Sequence, residues 1–93
     1  MDEKLYMDEK LFLCESFVQA SLQNKVTEND SVFISTVDKN GIENNIYPTE
    51  NKKISLLIYN ILTNKDLVET LSKIVLYKKN GIENIRLNEI EIN

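Results

Sequence analysis

Histidine and tryptophan are both missing from this chain of 93 residues. Without histidine the protein lacks the commonest general base and the commonest metal ligand, and no Ser-His or Cys-His pair can form. The single cysteine, Cys14, excludes an intramolecular disulfide and leaves no cysteine pair for zinc. Catalysis would have to use carboxylates, lysines or tyrosines. We therefore expect a protein that is not an enzyme and has no catalytic residues, no cofactor and no metal site.

Glycine is nearly as scarce, since Gly41 and Gly81 are the only two. They lie forty residues apart, which excludes a glycine-rich phosphate loop. Each lies inside a copy of the hexapeptide KNGIEN, at residues 39–44 and 79–84. Asn-Gly is a strong β-hairpin signal because both residues tolerate positive φ. The repeat therefore predicts a hairpin turn in each place rather than a binding motif used twice. If the two halves are related, both turns should project from the same end of the sheet.

Long apolar runs are absent as well. No stretch approaches the ~18 residues that a membrane span requires, and the N-terminus lacks the basic and apolar segments of a signal peptide. Together with the single cysteine, these features predict a cytoplasmic protein without membrane contact. The net charge of −4 and the pI near 4.8 disfavour binding to nucleic acid, which normally needs a basic patch.

What the chain does contain is an alternation of helical and strand-like segments. Apolar residues at helical spacing predict a helix over about residues 3–24 and further helix over about residues 49–72. β-Branched and aromatic stretches at 31–37 and 42–47 predict one hairpin, and residues 73–93 predict a second. The expected fold is α+β in the order α-β-β-α-β-β. The two hairpins form a four-stranded antiparallel sheet, and two helices pack on one face of it.

The N-terminus and the second helical stretch each carry a more specific prediction. We expect one domain over residues 1–93, with residues 1–6 a duplicated segment that frays, because MDEKLY is followed at once by MDEKLF. Within the second helical stretch, Thr63 and Asp66 match a capping pattern. One bent helix or two short ones would both fit this pattern.

The second hairpin carries a register prediction. A two-residue Asn80-Gly81 turn would pair residues so that apolar side chains share one face. The predicted pairs are Lys79 with Ile82, Leu76 with Ile85, and Ile74 with Leu87. Beyond Leu87 the apolar alternation slips, and a β-bulge near Asn88 and Glu89 would explain the slip.

The C-terminal stretch IRLNEIEIN is the main candidate for partner binding. At a sheet edge it would offer an unpaired ladder to another chain, as a homodimer or with a different protein. The alternative is an ordinary edge strand blunted by Glu89 and Glu91. These two carboxylates could also bind a cation, but such a pair is more typical of a solvated strand face. The candidate partner-binding residues are Lys78, Lys79, Glu83, Arg86, Glu89, Ile90, Glu91 and Ile92.

Three function classes compete. The first is a small acidic protein-binding module without catalysis, which inhibits a partner protein by occluding it. Phage anti-defence, anti-CRISPR-like, immunity and antitoxin proteins are of this type, and the abundance of Asn, Ile and Lys is typical of AT-rich genomes such as those of phage and their low-GC hosts. The second is a nucleic-acid-binding regulator that uses lysines 52, 53, 78 and 79 and Arg86 with Tyr47, Tyr59 and Tyr77. The third is a subunit of an oligomeric enzyme.

Overall fold

A computed structural model describes residues 3–50 and 53–92, with side chains from residue 9 onward. It contains helices α1 (Glu3–Leu22), α2 (Ile54–Leu62) and α3 (Lys65–Thr70), and strands β1 (Ser31–Asp38), β2 (Glu43–Ile46), β3 (Leu71–Asn80) and β4 (Glu83–Glu91). The four strands form one antiparallel sheet in the order β2-β1-β3-β4. The predicted α+β fold is confirmed. Residues 1 and 2 lie outside the described residues, and the predicted fraying of residues 1–6 stays a prediction.

The second helical stretch forms two helices rather than one bent helix. The hydroxyl of Thr63 donates back to the carbonyl oxygen of Tyr59 at 2.8 Å and closes α2. The side chain of Asn64 then accepts from the backbone N–H groups of Asp66 and Leu67 at 3.1 and 3.3 Å, which makes Asn64 the N-cap of α3. A kink or a break was predicted here, and the structure has the break; the capping residue lies one position after Thr63.

The two hairpin turns project from opposite ends of the sheet, which corrects the prediction of a common end. β1 and β3 are neighbours and antiparallel, so the end of β1 lies beside the start of β3. The first turn follows β1 and the second follows β3. Antiparallel pairing of the two central strands therefore places the two KNGIEN copies at opposite ends of the sheet.

The register of the second hairpin differs from the prediction by one residue on each strand. Asn80 pairs with Glu83 and Lys79 with Asn84, so the turn residues are Gly81 and Ile82 rather than Asn80 and Gly81. Gly81 has φ +64 whereas Ile82 does not have positive φ, and this is the type II′ arrangement, with glycine at the first central position.

The bulge lies at Leu87, just before the predicted Asn88-Glu89 site. Arg86 pairs with Tyr77 and Asn88 pairs with Leu76, so Leu87 is the extra residue. This shift places Ile90 opposite Ile74, on the side of the sheet where the core lies. The extra residue at Leu87 turns Ile90 toward the core, and this is why the apolar alternation changes phase after Leu87.

The core lies between the sheet and the helices α1 and α2. Its buried side chains come from both helices and from alternate positions of the two central strands. They are Cys14, Ile34, Ile54, Ile58, Tyr59, Ile61, Leu71, Ile74 and Leu76. Helix α3 buries none of its residues and lies at the periphery. The side of the sheet that faces away from α1 and α2 is called the open face below, and no described helix covers it.

Candidate binding face on the sheet

A row of four side chains crosses the open face from one edge of the sheet to the other. Phe33 on β1 pairs with Tyr77 on β3, and Tyr77 pairs with Arg86 on β4. Tyr47, just after β2, extends the row on the other side. Its ring centroid lies 4.9 Å from that of Phe33, and the Phe33 and Tyr77 centroids are 5.3 Å apart with nearly parallel planes. Tyr47, Phe33, Tyr77 and Arg86 are called the aromatic row below.

The central ring of the aromatic row is buried although no described helix covers the open face. Phe33 is 1% exposed, whereas Tyr47 at the end of the row is 54% exposed. The two tyrosines flank Phe33 and shield it from water, and centroid separations near 5 Å are typical of favourable aromatic pairs. Phe33 therefore supports the row from within, and Tyr47 is the most exposed aromatic side chain of the row.

A second row beside the first is polar at the β2 edge and apolar in the centre. Ser35 is fully buried, and its hydroxyl donates to Oδ1 of Asn45 at 2.8 Å. This bond satisfies the buried hydroxyl, which would otherwise cost free energy on folding. It also fixes the orientation of the Asn45 amide on the open face. Val75 on β3 pairs with Ser35 on β1. It is 2% exposed and forms the apolar centre of this row.

Charged side chains form the rim of the open face along β4. Nζ of Lys73 lies 3.5 Å from Oε2 of Glu89, and the other carboxylate oxygen of Glu89 pairs with the guanidinium of Arg86. Glu91 lies opposite Lys73 in the ladder. Because these side chains are partly exposed, each pair contributes no more than about 1 kcal/mol to stability. These pairs place the carboxylate of Glu89 between two cations, and this arrangement holds Arg86 at the end of the aromatic row.

The predicted partner-binding residues do not form one site. Arg86, Glu89 and Glu91 lie on the open face, as just described. Ile90 and Ile92 lie on the opposite side, where they are partly buried against the core, so they form no exposed apolar strip. Glu83 follows the second turn, and Lys79 is exposed near the end of β3. Their role in binding stays a prediction.

Lys78 has a structural role on the helix side of the sheet. Its ammonium group lies 3.7 Å from Oδ2 of Asp30 and also donates to the carbonyl oxygen of Lys25. The backbone N–H of Thr27 donates to the same carboxylate at 2.9 Å. This backbone donor is the main cause of the lowered pKa of Asp30, with the nearby Lys78 charge a smaller cause. These contacts fasten the loop between α1 and β1 to β3.

The edge position of β4 is confirmed, but its C-terminal half is blunted. The backbone N–H of Ile92 donates to the carbonyl oxygen of Ser72 at 2.8 Å. Because inward and outward groups alternate along an antiparallel edge, the N–H and C=O groups of Glu89 and Glu91 point away from β3. The N–H of Glu89 already donates to Oδ1 of Asn88 at 2.9 Å. This bond, the bulge and the two carboxylates all favour the blunted-edge interpretation.

A separate groove of about 410 Å³ lies between α1, the end of α2 and β4. Cys14 lines it and is buried. Burial raises the pKa of its thiol, with a smaller contribution from Glu15. Tyr59 also lines the groove, and its hydroxyl is buried without a hydrogen-bond partner among the described residues. Tyr59 is thus remote from the open face, although the sequence grouped it with Tyr47 and Tyr77.

Sequence reasoning missed Phe33 and the row that it joins. The signal was present as alternation within SVFISTV, where Phe33, Ser35 and Val37 share one side. Both sides of β1 are apolar, however, and the side facing the helices becomes clear only once β1 is paired with β3. That pairing joins segments about forty residues apart in sequence.

Comparisons with protein-family models, with curated proteins and with solved structures found no match. Among the described residues, no group of three or more acidic, cysteine or histidine side chains is placed to hold a metal ion. No helix in the described ranges is long and apolar enough to cross a bilayer. The function of this chain therefore has to be argued from the geometry of the open face.

Proposed function

We propose that this chain is a non-catalytic protein-binding module that inhibits a partner by occluding it, and that the open face is its contact surface. One observation carries the proposal. Phe33 on β1, Tyr77 on β3 and Arg86 on β4 form a row with Tyr47, the residue after β2, on a sheet face that no described helix covers.

The composition of the open face supports a protein partner. Protein interfaces have an apolar centre and a polar rim, and tyrosine and arginine are enriched among the residues that dominate binding energy. Here Phe33 and Val75 form the centre, while Lys73, Arg86 and Glu89 form a rim of both signs. The accessible ends of the row, Tyr47 and Arg86, are the expected anchors.

Rigidity of the face also supports this function. The Ser35–Asn45 hydrogen bond and the ion pairs of Glu89 hold side chains in place before any partner arrives. A surface that is ordered in advance loses less conformational entropy on binding. Small size, acidic charge and the absence of histidine suit an inhibitor of the anti-defence, immunity or antitoxin type acting in the cytoplasm.

Binding of single-stranded nucleic acid is the second candidate, because aromatic rings and an arginine lie together on an uncovered sheet. Two observations place it second. The ring of Phe33 is buried and offers no face for a base. The net charge of −4 opposes the electrostatic attraction that normally supplies affinity for phosphate.

The test compares substitutions on the open face with a matched one on the helix layer. Tyr47→Ser and Arg86→Glu change the two accessible ends of the row. Phe12→Ser is the control, because Phe12 is an exposed aromatic residue of α1 that is 64% exposed. Each tagged variant is incubated with a lysate of the source organism, and captured proteins are quantified by mass spectrometry. Thermal melts confirm that the variants are folded.

A partner captured by the wild type should be lost by at least about tenfold with Tyr47→Ser and with Arg86→Glu, which corresponds to 1.4 kcal/mol per contact. Phe12→Ser should capture it normally. Equal capture by all variants, or selective loss with Phe12→Ser, would contradict the use of the open face. Salt-sensitive binding of a labelled single-stranded oligonucleotide that requires Tyr47 would instead support the second candidate.

A further inference from the structure

The two KNGIEN copies form turns of different kinds, although their sequences are identical. In the first, Lys39, Asn40 and Gly41 form a three-residue loop, closed by a 3.0 Å hydrogen bond from the N–H of Asp38 to the carbonyl oxygen of Ile42. In the second, Gly81 and Ile82 form a two-residue loop. We propose that the second copy is a site of spontaneous deamidation at Asn80, and that the first turn protects Asn40 from the same reaction.

The reaction needs only the chain and water. The backbone nitrogen of the following glycine attacks the side-chain carbonyl carbon of asparagine, and a new C–N bond closes a succinimide ring. The bond to the side-chain nitrogen breaks, and ammonia leaves with the proton that the glycine nitrogen loses. Water then opens the ring at either carbonyl, which yields aspartate or isoaspartate. Glycine permits the attack best because it has no side chain to obstruct the ring.

In the first turn the attacking nitrogen is already engaged. The N–H of Gly41 donates to the carbonyl oxygen of Asp38 at 3.0 Å. The carboxylate of Asp38 accepts from the N–H groups of Asn40 and Ile42, both at 2.9 Å. These bonds hold the Asn40 backbone in a tight turn. Closure of a succinimide there would have to break the bond of Gly41 and distort the rest.

In the second turn the attacking nitrogen is not engaged. The N–H of Gly81 has no acceptor among the described residues. Ile82, the next residue, is 97% exposed. The difference of one hydrogen bond, about 1 kcal/mol net, corresponds to about a fivefold faster reaction at Asn80 than at Asn40.

Deamidation at Asn80 would alter the second hairpin. Asn80 lies directly opposite Glu83 in the ladder, so a carboxylate at this position would face another carboxylate. Like charges directly opposite each other destabilise a strand pair. Isoaspartate also adds a carbon to the main chain, which disturbs the register on which the position of Arg86 depends.

The identical sequences supply the control. The full-length protein is incubated at neutral pH, folded in buffer and unfolded in concentrated urea, and both sites are followed by peptide mapping with mass spectrometry. In urea the two sites share residues on both sides and should react at nearly equal rates. In the folded protein Asn80 should react about fivefold faster than Asn40. Equal rates in the folded protein, or a faster reaction at Asn40, would overturn the proposal.

Two substitutions at Asp38 test whether its side chain, which accepts from the N–H groups of Asn40 and Ile42, supports the loop in which the N–H of Gly41 is bonded. Asp38→Ala removes the side-chain acceptor and should accelerate the reaction at Asn40 severalfold without changing the rate at Asn80. Asp38→Asn keeps an acceptor oxygen and should retain the protection. An unchanged rate at Asn40 in Asp38→Ala would refute this explanation. Asn80 serves as an internal check on folding, because general unfolding would change the rates at both sites.

Discussion

Phe33 offers the sharpest test of how the open face is built. It is 1% exposed although it faces away from both core helices. Truncation of a buried phenylalanine to alanine costs about 3–5 kcal/mol. We expect Phe33→Ala to fall near the lower end, about 3 kcal/mol, because Tyr47 lies on a solvent-exposed edge and can move partly into the space. For a domain of this size that corresponds to a fall in melting temperature of roughly 12 °C or more.

The assay is urea unfolding followed by circular dichroism, with stability taken from the midpoint and the slope. Phe12→Ala is the matched control because it makes the same chemical change at a residue that is 64% exposed. It should change stability by no more than about 0.5 kcal/mol. If Phe33→Ala costs less than about 1 kcal/mol, or no more than Phe12→Ala, the aromatic row does not shield Phe33 as argued.

Two further predictions concern groups on the helix side. Asp30→Asn should weaken the dependence of stability on pH in the acid range. The pKa of Asp30 is lowered from its ordinary value of 3.8. The Asp30 carboxylate therefore stabilises the fold above pH 3.8, and this stabilisation is lost as the pH falls through the pKa of the folded state. Urea titrations at a series of acid pH values measure this, and profiles of equal slope would contradict it. Tyr59→Phe removes a buried hydroxyl that has no hydrogen-bond partner among the described residues, and it should leave stability unchanged or raise it by about 1 kcal/mol, as measured by urea unfolding. A loss of similar size would show that the hydroxyl is hydrogen-bonded.

Local patterns were enough to predict the elements of this fold. The helical spacing over α1, the β-branched stretch of β1 and the Asn-Gly pairs each act within a few residues. The break between α2 and α3 was also visible, although Asn64 rather than Thr63 caps the second helix. Such features depend on neighbours in the chain, and the sequence displays them directly.

Positions that depend on distant pairing were not predictable in the same way. The register of β3 with β4 follows from the burial of Ile90 and the bond between Asn88 and Ser21 on α1, which are separated by 67 residues in sequence. The aromatic row depends on the pairing of β1 with β3. Because both sides of β1 carry apolar residues, alternation alone did not reveal which side would lie under the helices.

The turn that each KNGIEN copy adopts is decided by the residue before it. Asp38 precedes the first copy, and its carboxylate accepts two backbone N–H groups of the loop. Lys78 precedes the second copy; it has no acceptor atom on its side chain, and its ammonium group is bonded to Asp30 instead. The same hexapeptide therefore forms a wider loop in one place and a tight type II′ turn in the other.

The open face follows from the small number of elements in the chain. The two core helices can cover only one side of a four-stranded sheet, so the side chains on the other side have to shield one another. Phe33, Ser35 and Val75 are buried although no described helix covers the open face. Such a surface is ordered and apolar at its centre before any partner arrives, and Tyr47 remains largely exposed at its edge. A partner that covered Tyr47 would extend the shielding that the row already provides, which is why the open face fits a protein contact better than the blunted edge of β4.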